Sequence, residues 1–280
     1  MYEPCLVCGG GLEKSKLPGL LRCLSCGFVT ADVALSHEQL AQLYTADYFC
    51  GQEYKDYVSE RPLIEKHFRQ RLFRLLPFIK DPKQKQLFEI GCAYGFFLEV
   101  ARDSFSSVEG IDISRDAVDF AARNLGLTVH AGDFLEYKGG NTMDVVCLWD
   151  TVEHLQHPDL YIRKAAGQMK PGGVLALTTG DIGSLVARIR GPRWRQIHPP
   201  THLHYFSKRS LTRLLHQEGF RIVFCGYEGV YRSVDTAAYI ILNIKHNLPK
   251  LYSYLKRLHI LNWNFYLNLY DILFVVAERS

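Results

Sequence analysis

Three groups of side chains in this sequence have the residue types and spacing that chemistry needs. Thiols stand in two close pairs near the N-terminus, carboxylates follow apolar runs in the middle of the chain, and imidazoles come after them. Thiolates bind soft metals, carboxylates accept hydrogen bonds from ammonium and hydroxyl groups, and a neutral imidazole can take up a proton near pH 7. In chain order the groups are Cys5, Cys8, Cys23 and Cys26; Glu89, Asp112 and Asp133; and His154, His202 and His204.

The cysteines form two C-x-x-C pairs, Cys5 with Cys8 and Cys23 with Cys26, and a glycine follows each pair. Two such knuckles supply the four thiolates of a closed tetrahedral zinc site, which leaves no open position for a substrate. A segment this short has almost no core of its own, so the metal would drive its folding. The alternative is a redox dithiol, but redox pairs normally occur singly beside a βαβ unit. We therefore predict a structural zinc module at residues 1–32.

The first strong strand pattern runs into a glycine-flanked turn and then into a helical pattern. The motif reads Glu89-x-Gly91-x-x-x-Gly95. Glycine permits positive φ and has no Cβ, so these positions can bring main-chain N–H groups close to a polar cofactor. The spacing is not the G-x-G-x-x-G of a dinucleotide site. A carboxylate at the strand end would repel phosphate and would suit an ammonium group.

Acids also end the next two predicted strands. Asp112 comes after an apolar run, where a carboxylate can accept both ribose hydroxyls of a nucleoside, and Ile113 would flank its base. Asp133 ends a third short strand beside Phe134 and could contact an adenine amino group; taken alone, it is better explained by an ordinary Gly-Asp turn. With Glu89, these acids stand at successive strand ends, where an open α/β sheet binds its ligand.

Strand and helix patterns alternate from residue 87 onward, which predicts a parallel sheet with helices on both faces. A fourth strand at 143–150 is followed by Glu153-His154-Leu155, a helix, the turn Lys170-Pro171-Gly172-Gly173 and a buried strand at 174–179. The order of these motifs resembles class I S-adenosylmethionine-dependent methyltransferases. The resemblance covers roughly residues 85–180.

That resemblance implies a Rossmann-like α/β fold, mostly parallel, whose last strand at 271–278 pairs antiparallel beside a strand at 220–227. Together with the cysteine pairs and the helical patterns, it predicts three parts: the zinc module, a helical segment at 33–84, and a methyltransferase domain at 85–280 with a helical cap insertion at about 230–268. S-adenosylmethionine is then the expected cofactor, and S-adenosylhomocysteine its product. The cofactor-binding residues would be Glu89, Gly91, Cys92, Ala93, Tyr94, Gly95, Asp112, Ile113, Asp133, Phe134, Trp149 and Asp150.

The histidines are candidates for a general base, because an oxygen or carbon acceptor must lose a proton on methylation. His202 lies in Thr201-His202-Leu203-His204-Tyr205-Phe206-Ser207, which is similar to the histidine-containing stretch of zinc-bearing sugar methyltransferases, whose histidine acts as base. The resemblance implies a small-molecule acceptor, a sugar or glycan-pathway metabolite. His204 and His154 are the other candidates, and ordinary loop and helix-cap hydrogen bonds are the alternative explanation.

The composition excludes several classes of protein. The chain has 280 residues, 48% of them hydrophobic, which suffices for one large core, and its net charge of +4 is too small to indicate a nucleic-acid surface. The alternative function is an RNA methyltransferase that uses the cysteine module as an RNA-binding finger, but Asp150-Thr151-Val152-Glu153 stands where such enzymes carry a clamp for a flipped base. A non-catalytic scaffold would not need the intact glycine motif. We expect a cytoplasmic protein with no signal peptide or transmembrane span.

One stretch has no acidic residue from 236 to 270, while basic and apolar residues alternate at helical spacing. Pro249 is expected to divide it into two short helices. It could cover the substrate pocket, contact an anionic membrane surface peripherally, or form a dimer face. We favour the cap among these three, and the oligomeric state stays open.

Overall fold

The computed structural model describes residues 2–33, 57–58, 60–139 and 143–280. The first half of the helical segment predicted at 33–84 lies outside the described residues. Its second half contains the helix α1, Arg61–Leu75. The other helices are α2 Phe96–Ala101, α3 Arg115–Leu125, α4 Pro158–Gln168, α5 Leu185–Arg190, α6 Lys208–Gln217, α7 Val234–Ala238 and α8 Pro249–Arg257, with a π-helical turn at Tyr239–Lys245.

The described strands form two sheets. In chain order they are β1 Leu12–Lys14, β2 Leu20–Cys23, β3 Val29–Ala31, β4 Gln86–Ile90, β5 Ser107–Asp112, β6 Thr128–Ala131, β7 Met143–Trp149, β8 Met169–Gly180, β9 His204–Tyr205, β10 Phe220–Ser233 and β11 Asn264–Arg279. The large sheet has the order β10-β11-β8-β7-β4-β5-β6, and the small one has the order β1-β2-β3-β9.

The large sheet is the Rossmann-like sheet that the alternating pattern predicts. Strands β8, β7, β4, β5 and β6 are parallel, and β11 lies antiparallel between β10 and β8, which confirms the prediction for the last strand. All seven residues of β7 are buried, as expected for a central strand with helices on both faces. The strand order reverses between β4 and β7, so their carboxyl ends border the crevice where such sheets bind ligands.

The core lies on the two faces of this sheet. On one face, the core contains Phe97 and Leu98 of α2, Phe274 of β11 and apolar residues of α3. The other face packs Leu148, Leu214 and the side chains of the cysteine module, so that module shares a core with the large domain. Strand β3 pairs with β9, and the ring of Phe28 lies 5.2 Å from that of Phe206. The sequence did not indicate this docking, because a two-residue strand has no recognisable pattern.

The region between β10 and β11 differs from the prediction. Both strands continue beyond the predicted ends at 227 and 271, and their pairing runs from Phe220 opposite Arg279 to Ser233 opposite Asn264. Aromatic side chains favour this extension, since Tyr231 and Tyr266 face each other across the two strands at 5.2 Å. The helical part of the predicted cap at 230–268 is therefore restricted to 234–257. It is divided at Pro249, as predicted.

Within the described residues, no helix has the length and apolar character that a membrane span requires.

Candidate active site

The turn between β4 and α2 needs glycine for two reasons. Gly91 and Gly95 both have positive φ, +77° and +76°. A Cβ at Gly91 would lie 2.6 Å from the Thr151 side chain, and one at Gly95 would lie 2.6 Å from Leu127. Both the backbone conformation and the close packing therefore exclude larger residues. Ala93, inside the same turn, also has a positive φ of 43°.

The amides of this turn are not directed as the motif suggested. The N–H groups of Gly91 and Cys92 donate to the Ile111 carbonyl at 2.9 and 3.1 Å, and that of Ala93 donates to Asp112 Oδ2 at 2.7 Å. These bonds fix the turn against β5. Because the protein itself uses these donors, the turn would have to contact a cofactor through other atoms.

Glu89 is the buried acid next to this turn. Its side chain is 2% exposed, and Oε2 has no hydrogen-bond partner among the residues that the structure describes. Burial, followed by the nearby Asp112 charge, raises the pKa of Glu89 well above its usual value. A buried carboxylate is costly unless a positive charge or a donor compensates it. A bound ammonium group would supply both.

Asp112 ends the neighbouring strand with its carboxylate held in place. Oδ1 accepts from the Ser114 N–H at 2.8 Å, and Oδ2 accepts the Ala93 N–H. Burial raises the pKa of Asp112, against the effect of these backbone donors. Each carboxylate oxygen keeps a second acceptor position, so a pair of ribose hydroxyls fits. Ile113 lies beside it with 40% of its surface exposed.

Asp133 and Phe134 differ in what they can offer a ligand. Asp133 Oδ1 accepts from the Leu135 N–H at 2.7 Å and from the Tyr161 hydroxyl at 2.5 Å, a tyrosine that the sequence did not single out. The Phe134 ring is 1% exposed and packs 5.8 Å from Phe88. Its side chain therefore belongs to the core, and Phe134 could contact a ligand through its backbone.

Cys92 and Tyr94, the other predicted residues of the turn, are also buried, at 4% and 9% exposure. Trp149 is buried as well, with its ring stacked 5.7 Å from Phe274. These three side chains pack into the face of the sheet that contains Phe97. A cofactor-binding turn and a purely structural turn have similar sequences here, because both place apolar residues beside glycine.

Asp150, directly after β7, takes part in a buried ion-pair network. Its carboxylate is half exposed, and Oδ2 accepts from Arg71 at 2.6 Å. Burial opposes ionisation, but the Arg71 guanidinium brings the pKa of Asp150 below its usual value. Arg71 also donates to Glu228 at 2.6 Å, and both of those side chains are almost fully buried. The network joins α1, β7 and β10 and was not predicted.

We expect Arg71→Met to lower the free energy of unfolding by about 3–5 kcal/mol, because the change removes the guanidinium that donates two hydrogen bonds to the buried Glu228. Arg74, at 3.8 Å, and His67, at 3.4 Å, would then be left near that carboxylate. Urea unfolding measures this.

The matched control is Arg69→Met on the same helix. Arg69 forms an ion pair with Glu65, and its side chain is 62% exposed, so this substitution should lower the free energy of unfolding by only about 0–1 kcal/mol. Equal losses in the two variants would contradict the prediction.

Three imidazole rings from two segments of the chain meet near Asp150. The ring of His202 lies 4.5 Å from that of His154 and 3.8 Å from that of His198. Burial and the neighbouring imidazoles lower the pKa of His202 far below its usual value, and burial lowers the pKa of His154 to about 4. These two rings are therefore neutral near pH 7.

Glu153 joins this cluster, although the sequence assigned it no role. It is 3% exposed, and one of its carboxylate oxygens lies within 4.8 Å of ring nitrogens of both His154 and His202. Burial, followed by the Asp150 charge, raises the pKa of Glu153 to about 8. In the sequence, Glu153 is distinguished only by its position beside His154. His198 is distinguished only by the two prolines that follow it.

His204 is separate from the cluster. Its Nδ1 lies 3.1 Å from Thr30 Oγ1 and its Nε2 lies 3.3 Å from the Gln156 carbonyl oxygen. Its ring also packs against Phe28 of the cysteine module, at 5.4 Å. Residues two apart in a regular strand face the same side, so the segment is not regularly extended from His202 to His204, and β9 begins only at His204.

The four N-terminal cysteines converge. The sulfurs of Cys5 and Cys26 are 3.6 Å apart, those of Cys8 and Cys23 are 3.4 Å apart, and all four lie within 4.8 Å of one another. All four are free thiols. Zinc bonded to sulfur at about 2.3 Å has ligand–ligand distances of roughly 3.8 Å. The site therefore fits one tetrahedral zinc ion.

The family of the chain follows from a comparison with known protein families. Residues 64–223 match the family described as a methyltransferase domain, which is more than half of the chain. The chain belongs to this family. The matched stretch runs from within α1 to the start of β10.

Two curated relatives of the methyltransferase domain act on different molecules. The dTDP-3-amino-3,6-dideoxy-alpha-D-glucopyranose N,N-dimethyltransferase of Streptomyces fradiae is 30% identical over 102 residues, covering 35% of this chain and 40% of the relative. A ubiquinone biosynthesis O-methyltransferase of Chelativorans sp. (strain BNC1) is 28% identical over 117 residues, covering 36% and 45%. The chain thus spans less than half of the length of these relatives.

Solved structures agree on the fold. A SAM-dependent methyltransferase from Archaeoglobus fulgidus has a TM-score of 0.54 and 19% identity, covering 80% of this chain and 99% of that one. Magnesium protoporphyrin IX methyltransferase from Synechocystis PCC 6803, solved with bound SAH, has a TM-score of 0.56 and 15% identity, covering 88% and 100%. At these identities the similarity concerns the fold.

Proposed function

We propose that the protein is an S-adenosylmethionine-dependent methyltransferase that acts on a small molecule, a sugar or glycan-pathway metabolite. The observation that carries the proposal is the buried Glu89 oxygen without a partner, beside the glycine turn and the fixed carboxylate of Asp112. Family membership supports it. The sugar and ubiquinone methyltransferases among the relatives support a small-molecule acceptor.

In this proposal the cofactor lies across the carboxyl ends of β4, β5 and β6. Glu89 compensates its ammonium group, Asp112 accepts the ribose hydroxyls, and Ile113 flanks the adenine. Asp133 and the Phe134 backbone contact the edge of the base. The cofactor supplies the electrophilic methyl group, and the protein supplies orientation and a place for the acceptor's proton.

The acceptor is proposed to lie on the side of the histidine cluster. As its oxygen attacks the methyl carbon and the carbon–sulfur bond breaks, the acceptor proton passes to His202, the first-choice base. The electron pair of the broken bond stays on sulfur. His202 is neutral and unprotonated before the reaction, as a base must be, although its lowered pKa makes it a weak one.

We propose a structural role for zinc in the cysteine module. The module pairs with β9 and packs on the core of the methyltransferase domain. An RNA-binding finger would instead need a free basic face. This docking favours the small-molecule function over the RNA alternative.

The segment at 234–257 is proposed to cap the acceptor site. Glu228 of β10 bonds Arg71, which bonds Asp150, so the hairpin that carries the segment begins beside the end of β7. The helices α7 and α8 are tied together, because Asp235 accepts from the Tyr252 hydroxyl at 2.8 Å. The alternative proposals for this segment are contact with a membrane surface and formation of a dimer face.

We expect Asp112→Ala to weaken binding of S-adenosylhomocysteine by roughly tenfold or more, since a lost contact in a partly buried site costs about 1–3 kcal/mol. Isothermal calorimetry measures it. Asp116→Ala, an exposed acid in the first turn of α3, is the matched control and should bind normally. Unchanged affinity in Asp112→Ala would remove this residue from the site.

The acceptor class is tested by product analysis. The protein is incubated with labelled S-adenosylmethionine and fractionated metabolites, with RNA as the comparison, and products are identified by mass spectrometry. A labelled sugar-type product supports the proposal. Label transferred to RNA alone would overturn it.

A further inference from the structure

Three potential metal ligands from two distant segments meet beside Asp150. Glu153 and His154 follow β7, whereas His202 lies just before β9, and one donor atom from each lies within 4.8 Å of the others. None of these residues belongs to the cysteine site. We propose that Glu153, His154 and His202 together bind one divalent transition-metal ion.

Each of the three side chains has a protein partner that orients it. His154 Nδ1 lies 2.8 Å from the Thr201 carbonyl oxygen, which can only accept, so Nδ1 carries the proton and Nε2 is the ring nitrogen with the lone pair. The His202 ring hydrogen-bonds the Gln196 backbone, and the Glu153 carboxylate hydrogen-bonds Thr179. Ligating histidines and carboxylates in metal sites are held in this way.

The buried Glu153 oxygen also points to a cation. Glu153 is 3% exposed, and its Oε2 has no hydrogen-bond partner within the described parts of the chain. The nearby Arg71 is already shared between Asp150 and Glu228. A divalent ion would supply the partner that this buried oxygen lacks, together with the positive charge that an ionised carboxylate needs in such a place.

The ligand types define the class of metal. Two imidazoles and one carboxylate suit Zn²⁺, Co²⁺, Fe²⁺ or Mn²⁺, and three protein ligands leave at least one position open. The cysteine site, by contrast, is closed. The next step rests on the proposed function. The open position would take an oxygen of the acceptor, and His202 would act as a metal ligand instead of a base.

The first test is the metal content of the protein purified from zinc-containing medium. We expect two equivalents per chain in the wild type and one in Glu153→Gln, a change that keeps the side-chain shape. His216→Gln removes an exposed imidazole of α6 and should keep both equivalents. One equivalent in the wild type, lost in Cys26→Ser, would count against the proposal.

The second test is a Co²⁺ titration after a mild chelator wash that leaves the cysteine site loaded. We expect one Co²⁺ per chain with a spectrum of nitrogen and oxygen ligation, lacking thiolate charge-transfer bands. Affinity should fall at least a hundredfold in Glu153→Gln and in His154→Gln, since even outer partners of metal ligands contribute 10–100-fold. No Co²⁺ binding in the washed wild type, or unchanged binding in both variants, overturns the proposal.

Two further measurements separate failure of this site from failure of the fold or of the proposed function. Co²⁺ should raise the Tm of the wild type and leave that of Glu153→Gln unchanged, which needs no active enzyme. S-adenosylhomocysteine affinity, measured in the same samples, should be equal in both proteins. Loss of cofactor binding in the wild type would refute the proposed function and leave the metal result intact.

Discussion

His202→Ala is expected to slow kcat by about 10² to 10⁴ while leaving S-adenosylhomocysteine affinity nearly unchanged. This range is typical for the loss of a general base. His202 lies in a cluster with His198 and with His154, the residue of the three that follows β7. The proposed cofactor contacts lie instead at the ends of β4 and β5. Single-turnover methyl transfer and calorimetry on the same preparation separate the two effects.

His204→Ala is the control within the same segment. Its ring contacts Thr30 and Phe28, so it should matter for docking of the cysteine module rather than for chemistry. A large rate loss in His204→Ala or His154→Ala, with full activity in His202→Ala, would show that His202 is the wrong choice. Full activity in all three would indicate an acceptor that needs no enzymic base, such as a deprotonated amine, and would remove the sugar-hydroxyl proposal.

The roles of His202 as base and as metal ligand differ in one respect. A base predicts a wild-type rate that is independent of added Co²⁺ or Zn²⁺ once the cysteine site is loaded. A ligand predicts that the mild chelator wash, which leaves the cysteine site loaded, abolishes turnover and that the metal restores it. Glu153→Gln sharpens the comparison, because it should prevent restoration by the metal only if His202 is a ligand.

Removing zinc from the cysteine site is expected to unfold residues 2–33 and to stop turnover, with cofactor binding largely intact. A structural zinc ion contributes about 10–16 kcal/mol in comparable small modules, and this module has little core of its own. The loss should extend to β9, because β3 pairs with it and Phe28 packs on Phe206. That segment carries His202 and His204.

Hydrogen exchange of residues 2–33 and 202–206, together with calorimetry, measures this. Cys26→Ser should give the same result as chelation, and Cys225→Ser, a partly buried thiol of β10, should not. Freshly purified protein without zinc, or with an oxidised cysteine pair, would contradict the prediction. Unchanged exchange at 202–206 would show that the module does not support the histidine segment.

The sequence by itself determined the features that depend on neighbouring residues. The C-x-x-C pairs converge because their spacing is local, and the turn from Gly91 to Gly95 needs glycine because its φ angles are positive. Periodic apolar runs predicted the parallel sheet and its antiparallel last strand. Because parallel strands end at one edge, the positions of Glu89 and Asp112 followed from the strand order.

Only the tertiary structure decided which distant segments meet. Arg71 and Glu228 are 157 residues apart, and Trp149 and Phe134 lie in the core although their positions suggested ligand contact. Likewise, the pairing of β3 with β9 brings the cysteine module to the segment that places His202 against Glu153 and His154. Such contacts come from the docking of whole elements, and no local pattern of residue types encodes which faces will touch.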